Sequence, residues 1–150
     1  MFTKPAAGWT RMSVTMEKEY SKEITVNWDI SYLSNFPLEL LTALVNLYKT
    51  KMPQVIKVEL ESKGEGTIII SLNDMEIVNL TCIHPTIYRL PTDVDMKDIL
   101  EEMYEDITSN INDWSSYYCG IEDEESLDAN KTQIKHLLSE LKDLMDKHYK

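Results

Sequence analysis

The chain has 150 residues, 43% of them hydrophobic and 27% charged, which is enough apolar material for one buried core and too much for wholesale disorder. Its 26 acidic residues against 15 basic ones leave a net charge of -11, which argues against direct contact with a nucleic-acid backbone or an anionic membrane surface. Two cysteines, Cys82 and Cys119, are too few for a disulfide scaffold or a four-cysteine zinc site, although one bridge between them stays open. No apolar run approaches the roughly 18 residues needed to cross a bilayer, so the expectation is a single domain over residues 1–150 in the cytoplasm.

In chain order, residues 9–16 nearly alternate, with Met12, Val14 and Met16 on one face. The set Ile24, Val26, Trp28 and Ile30 alternates cleanly, so both segments predict half-buried strands joined through Glu17–Lys22. Ser34 or Asn35 can cap a helix start, and Pro37 sits where a missing N–H costs little. Leu40, Leu41, Leu44, Val45, Leu47 and Tyr48 then recur at helical spacing until Pro53 stops the helix. Strands are predicted over Val55–Glu61, Thr67–Leu72 and Met75–Ile83, with Lys63-Gly64-Glu65-Gly66 as the first turn and Asn73-Asp74 as the second. Ile68, Ile69 and Ile70 are apolar on both faces, which predicts a central strand covered on both sides; His84-Pro85 ends the sheet.

Beyond the Pro91-Thr92-Asp93 turn, Met96, Ile99, Leu100, Met103, Ile107 and Ile111 trace one helical stripe, capped by Asp93 or Asp95. A loop from Trp114 to Ser126 and a last helix from about Asp128 complete the chain. The order ββαβββαα predicts an α+β fold: a mainly antiparallel sheet of about five strands packed by three helices.

The charge is regional. Between Leu90 and Asn130 stand 13 acids against Lys97 alone, while the remaining residues hold 13 acids and 14 bases. Asp98, Glu101, Glu102 and Glu105 share a helical face opposite the apolar stripe. Asp113, Trp114, Tyr117 and Tyr118 follow, then Glu122, Asp123, Glu124 and Glu125. Carboxylates beside aromatic anchors suit a basic protein partner, and these twelve residues form the candidate partner-binding surface. The competing reading is a solvated helix face with the aromatics in local core.

Catalytic and metal signatures are weak. Cys82 and His84 offer two ligands where structural zinc wants four, with no third group to orient the histidine. His136 and His148 lie about 18 Å apart along one helix, too far to share a metal, and are expected to face solvent. The acidic helix face should be exposed, whereas general acid–base work needs a carboxyl in an environment unlike its neighbours. The acids at 122–125 lack the spacing and glycine of a calcium loop, and no phosphate-loop, dinucleotide, zinc-protease or serine-hydrolase motif occurs. No cofactor or metal is expected.

Phe2-Thr3-Lys4-Pro5 with Gly8-Trp9, Ser31-Tyr32-Leu33 with Pro37, Leu41 and Ala43, the turn at Glu65-Gly66, and Asp113-Trp114 resemble an immunity-protein-like family of Gram-positive bacteria associated with polymorphic or contact-dependent toxin systems. The chain departs from that pattern between Arg11 and Glu23, which is longer and more charged. The resemblance implies a cytosolic antidote, or antitoxin, that binds a delivered toxin domain, and its implied partner is a basic toxin such as a nuclease. A phage-encoded inhibitor of a host defence or nucleic-acid enzyme, acting by charge mimicry, fits the same surface. A small hydrolase-like enzyme using Cys82, His84 or an acidic pair, and an assembly subunit with a solvated acidic segment, are the readings from other classes.

Overall fold

A computed structural model describes residues 2, 9–18, 22–61, 63–91 and 94–150. Strands β1 (Trp9–Lys18) and β2 (Lys22–Ser31) pair antiparallel from Trp9↔Ser31 to Lys18↔Lys22, so the first hairpin forms as its alternation predicts. Part of its expected connection, residues 19–21, lies outside the described residues. Helix α1 (Phe36–Thr50) is followed by β3 (Gln54–Leu60), β4 (Gly64–Leu72), β5 (Val78–Ile83) and β6 (Ile87–Arg89). Three helices close the chain: α2 (Lys97–Ser109), α3 (Ile111–Ser115) and α4 (Glu124–His148). The six strands form a closed antiparallel ring in chain order, and the fold is α+β as expected, with one more strand and one more helix than the sequence pattern gave reason to count.

The extra strand is β6, whose three residues are too short for an alternation to register; it pairs with β5 after the His84-Pro85 punctuation that was expected to end the sheet. Strand β5 starts at Val78 rather than Met75, because the Asn73 side-chain carbonyl accepts the amides of Met75 and Ile77 and holds those residues in a turn. The β3–β4 turn falls ahead of Gly64, which is already paired with Leu60 and whose φ of +81° favours a residue without Cβ. The long stripe from Met96 to Ile111 is two helices, interrupted at Asn110, whose side chain donates to the Asp106 carbonyl at 3.1 Å. Helix α4 begins at Glu124, four residues earlier than expected.

Period-two burial fixes the inward face: Met12, Val14 and Met16 on β1, Val26, Trp28 and Ile30 on β2, Ile56, Val58 and Leu60 on β3, Ile68 and Ile70 on β4, Val78, Leu80 and Cys82 on β5. Burying each large apolar side chain contributes about 1.5–3 kcal/mol. Ile24 was expected on that face but is 39% exposed, although Met16 opposite it in register is buried. Strand β4 is interior, as expected, between β3 and β5. Ile69 nevertheless points outward and is only half-buried, flanked in register by Val55 and Thr81, so the expected double cover is not made. At Gly66 a Cβ would stand 2.9 Å from Leu60 Cδ1 and 3.1 Å from the Trp28 ring, so the missing side chain lets Trp28 pack against the strand backbone.

The helices pack as a layer whose middle member is α4. Helix α1 lies parallel to it: Asn35 donates to Asn130 at 2.9 Å near one end, while Lys49 pairs with Glu140 and the Tyr48 and Tyr149 hydroxyls are 3.3 Å apart near the other. Helices α2 and α3 run the opposite way, with Lys97 over the Tyr149 ring, Lys142 over the Tyr104 ring, and Lys131 donating to Asn112 at 2.7 Å. Buried residues of the barrel and of α1, α2 and α4 form one hydrophobic core.

The helix starts use their polar residues differently from the sequence expectation. Asn35 holds the N-cap position of α1 without a side-chain cap bond: its side-chain nitrogen donates to Asn130, and the Oδ1 that would accept a helix amide is buried with no partner among the described residues. Met96 holds that position at α2, and Asp95 instead accepts the Tyr149 hydroxyl at 2.8 Å; the other proposed cap, Asp93, lies outside the described residues.

Candidate interaction surface

Helix α2 buries Leu100, Met103 and Ile107 and turns Asp98, Glu101, Glu102 and Glu105 to solvent, as the stripe predicts. Seven residue steps from Asp98 to Glu105 spread these acids over about 10 Å of the helix. Their charge is partly met within the fold, since Lys97 lies 3.7 Å from Glu101; Lys142, which lines a groove of about 540 Å³ between α2 and α4 together with Glu101, Glu105, Tyr104 and Tyr149, pairs instead with Asp146 at 3.8 Å. Exposed pairs of this kind are each worth about 0.2–1 kcal/mol.

The aromatic part of the candidate surface is mostly core, which corrects the sequence reading. Trp114 is fully buried, with its ring 5.6 Å from Phe2 and 5.6 Å from Tyr117. The buried Tyr117 hydroxyl donates to the Ile30 carbonyl at 2.6 Å and ties the α3–α4 connection to β2. Burial pushes its phenol well above the ordinary range. Neither ring is available to a partner without unfolding this corner. Asp113 is half-buried on α3, and Tyr118 remains half-exposed.

Two residues outside the twelve candidate surface residues lie beside Tyr118. The Cys119 amide donates to the Tyr32 carbonyl at 3.0 Å, which brings the 118–120 turn against the β2–α1 connection, where Tyr32 is 39% and Leu33 60% exposed. The available signal was a Tyr-Leu pair in a turn, where neither side chain has strand or helix periodicity to account for it.

The second acidic group also has a structural role. Asp123 is the N-cap of α4: its carboxylate accepts the Ser126 amide at 2.7 Å, while the Asp123 amide donates to Ser126 Oγ at 3.2 Å. The Ser126 amide, then its hydroxyl, hold the Asp123 carboxyl below the usual range. Glu124 and Glu125 occupy the first turn, where negative charge complements the helix dipole, and Glu122 is exposed just before it. The 18 residue steps from Glu124 to Lys142 span about 27 Å of α4, so the acids at 122–125 and the groove by Glu101 and Glu105 stand near opposite ends of the helical layer. The structure therefore does not gather the twelve nominated residues into one patch.

Cys82 is fully buried inside the ring, and burial pushes its thiol up to about 12, so it is held as a thiol rather than a nucleophilic thiolate. His84 is half-buried beyond the end of β5. Cys119 is exposed, and the two cysteines are unpaired. His136 faces solvent as expected, but His148 is half-buried, edge-on to Tyr48 and Tyr149, with Nε2 2.8 Å from the Glu76 carbonyl. Among the described residues no group of three or more His, Cys, Asp or Glu side chains could hold a metal ion, and no helix is long and apolar enough to cross a membrane.

No family model, curated protein or solved structure matches this chain.

Proposed function

We propose that the protein is a non-enzymatic, protein-binding inhibitor, an immunity protein of the cytosol that neutralises a basic toxin domain, with a nuclease the best-fitting toxin class. The observation that carries this reading is the α2 face: Asp98, Glu101, Glu102 and Glu105 are all exposed on one rigid helix whose other side is anchored in the core. Carboxylates on a fixed scaffold attract a basic partner over long range and lose little conformational freedom when they pair. Tyr32, Leu33 and the half-exposed Tyr118 form a separate apolar patch toward the other end of the helical layer and are not part of this face. The resemblance to immunity proteins of toxin systems supports the same reading.

Tagged protein and a variant carrying D98K, E101K, E102K and E105K, used for affinity capture from the native host at low and high salt, test it. A basic toxin or nuclease domain recovered by the native protein, lost at high salt and weakened roughly a hundredfold or more by the four reversals, is the expected result. Equal recovery by both proteins refutes docking through α2.

A further inference from the structure

Strand β3 has one open edge. It pairs with β4 along its whole length, from Gln54↔Ile70 to Leu60↔Gly64, but meets β2 only at Ile30↔Leu60. Beyond that pair β2 ends and the chain turns into α1. The direction of the open hydrogen bonds follows from one contact: the Glu61 amide donates to the Asp29 carbonyl at 3.0 Å, so odd-numbered positions of this strand direct their main-chain groups toward the β2 side. The N–H and C=O groups of Val55 and Lys57 thus face that edge with no strand beside them among the described residues, while Ile56 and Val58 bond to β4.

A groove of about 440 Å³ runs along this edge against α1, walled by Leu38, Glu39, Thr42 and Ala43 on the helix and by Val55 and Ile56 on the strand. Val55 is 60% exposed. Proteins ordinarily blunt such edges with charge, and Lys57 is the charge here; its ammonium, however, donates to Thr67 Oγ1 at 2.7 Å and lies 3.6 Å from Glu65, engaged by β4. The other charge in the groove, Glu39, has no cation within ion-pair distance among the described residues, and burial raises its carboxyl above the ordinary range.

We propose that the groove between β3 and α1 binds an extended peptide segment of a partner protein by strand addition, with a lysine or arginine of that segment paired to Glu39. Main-chain bonds to Val55 and Lys57 supply the register, the apolar walls at Leu38, Ala43 and Val55 take alternate side chains, and Glu39 selects a basic residue over an acidic one. This site is separate from the α2 face and does not depend on it.

The probe is a capped heptapeptide of alternating valine and threonine with a central lysine, titrated against the isotope-labelled full chain and followed by amide NMR shifts. In the free protein the amides of Val55 and Lys57 exchange with solvent fast, and those of Ile56 and Val58 slowly. The peptide shifts and protects Val55 and Lys57. N-methylating the peptide's edge-facing amides, or introducing Val55→Pro, weakens binding roughly tenfold or more. Glu39→Gln, or glutamate in place of the peptide's lysine, weakens it roughly two- to fivefold or more, and Glu39→Gln keeps the test open if the proline variant fails to fold. The proposal is overturned if β3 does not respond, if the N-methylated peptide binds equally well, or if the shifts gather on the α2 carboxylates. Protection of Val55 and Lys57 that grows with protein concentration would overturn it in favour of a second copy of this chain.

Discussion

Removing the Tyr117 hydroxyl separates a structural role for this residue from a docking role. In Tyr117→Phe the ring keeps its place 5.6 Å from Trp114, so the packed volume hardly changes and the loss is confined to one hydrogen bond, the 2.6 Å contact with the Ile30 carbonyl. That contact is buried, and leaving an acceptor there without its donor costs about 1–3 kcal/mol. Taking about 2 kcal/mol, the melting temperature falls by roughly 4–8 °C for a chain of this size. Urea unfolding should show a lower midpoint with an unchanged slope. The pH dependence adds a signature. Burial raises the folded phenol above its ordinary value of 10, so the stabilisation from keeping it protonated is complete below pH 10. As pH rises past 10 the unfolded chain ionises while the folded chain keeps its proton, and the native protein loses a contribution that the phenylalanine variant never had. The stability gap between the two proteins therefore narrows above pH 10. A variant as stable as the native protein that has lost affinity for a basic partner would refute the core assignment and return Tyr117 to the surface.

Other expectations test other parts of the fold. Asn130→Ala removes both the Asn35 contact at 2.9 Å and the bond from Asn130 to the Ser115 carbonyl at 2.7 Å, and should cost about 2–4 kcal/mol in the same urea assay. Gly66→Ala drives a Cβ into Leu60 and Trp28; a loss of about 1–3 kcal/mol with an altered Trp28 environment in near-ultraviolet circular dichroism is expected. A thiol reagent should label Cys119 alone in the native protein and both cysteines in denaturant; rapid native labelling of Cys82 would contradict its place inside the ring. Asp98→Asn with Glu105→Gln should leave stability within about 1 kcal/mol while weakening capture of a basic partner.

The sequence was most readable where one periodicity ran long enough to decide the matter. The β1–β2 hairpin, α1 and the buried stripe of α2 follow their apolar spacing because each has an unbroken run and one buried face. It failed where a single side chain overrides a pattern. Asn73 bends Met75 and Ile77 out of a strand they suit by composition, and Asn110 breaks a stripe that continues on both sides of it. Trp114 and Tyr117 show the limit for the site. An aromatic residue among acids has the composition of an interface and of a local core alike, and only the long-range contacts to Phe2 and Ile30 decide between them. At 122–125 the acids have the composition of a charged loop, yet they cap and begin α4, ahead of the first apolar residue that marks its stripe. The Asp123 and Ser126 spacing carried the information, since a serine three residues after an aspartate can complete a reciprocal cap much as glutamate does. The open edge of β3 could not be read at all, because it depends on where β2 stops relative to a strand that follows an intervening helix.

The two narrow joins of the ring also bear on the order in which the chain assembles. Apart from Ile30↔Leu60 and Glu17↔Arg89, every ladder in the barrel joins strands adjacent in the chain through a short connection, β1 with β2 and then β3 through β6 in succession. Both blocks can pair locally at small loop-closure cost before either has found the other. The entropically expensive event is then the meeting of two preformed meanders, and few ladder bonds reward it. Its driving force must come from side chains that only the closed ring brings together, such as Trp28 of the first block against Leu60 and Gly66 of the second. Substitutions at this junction should slow folding, whereas those within either meander should chiefly hasten unfolding.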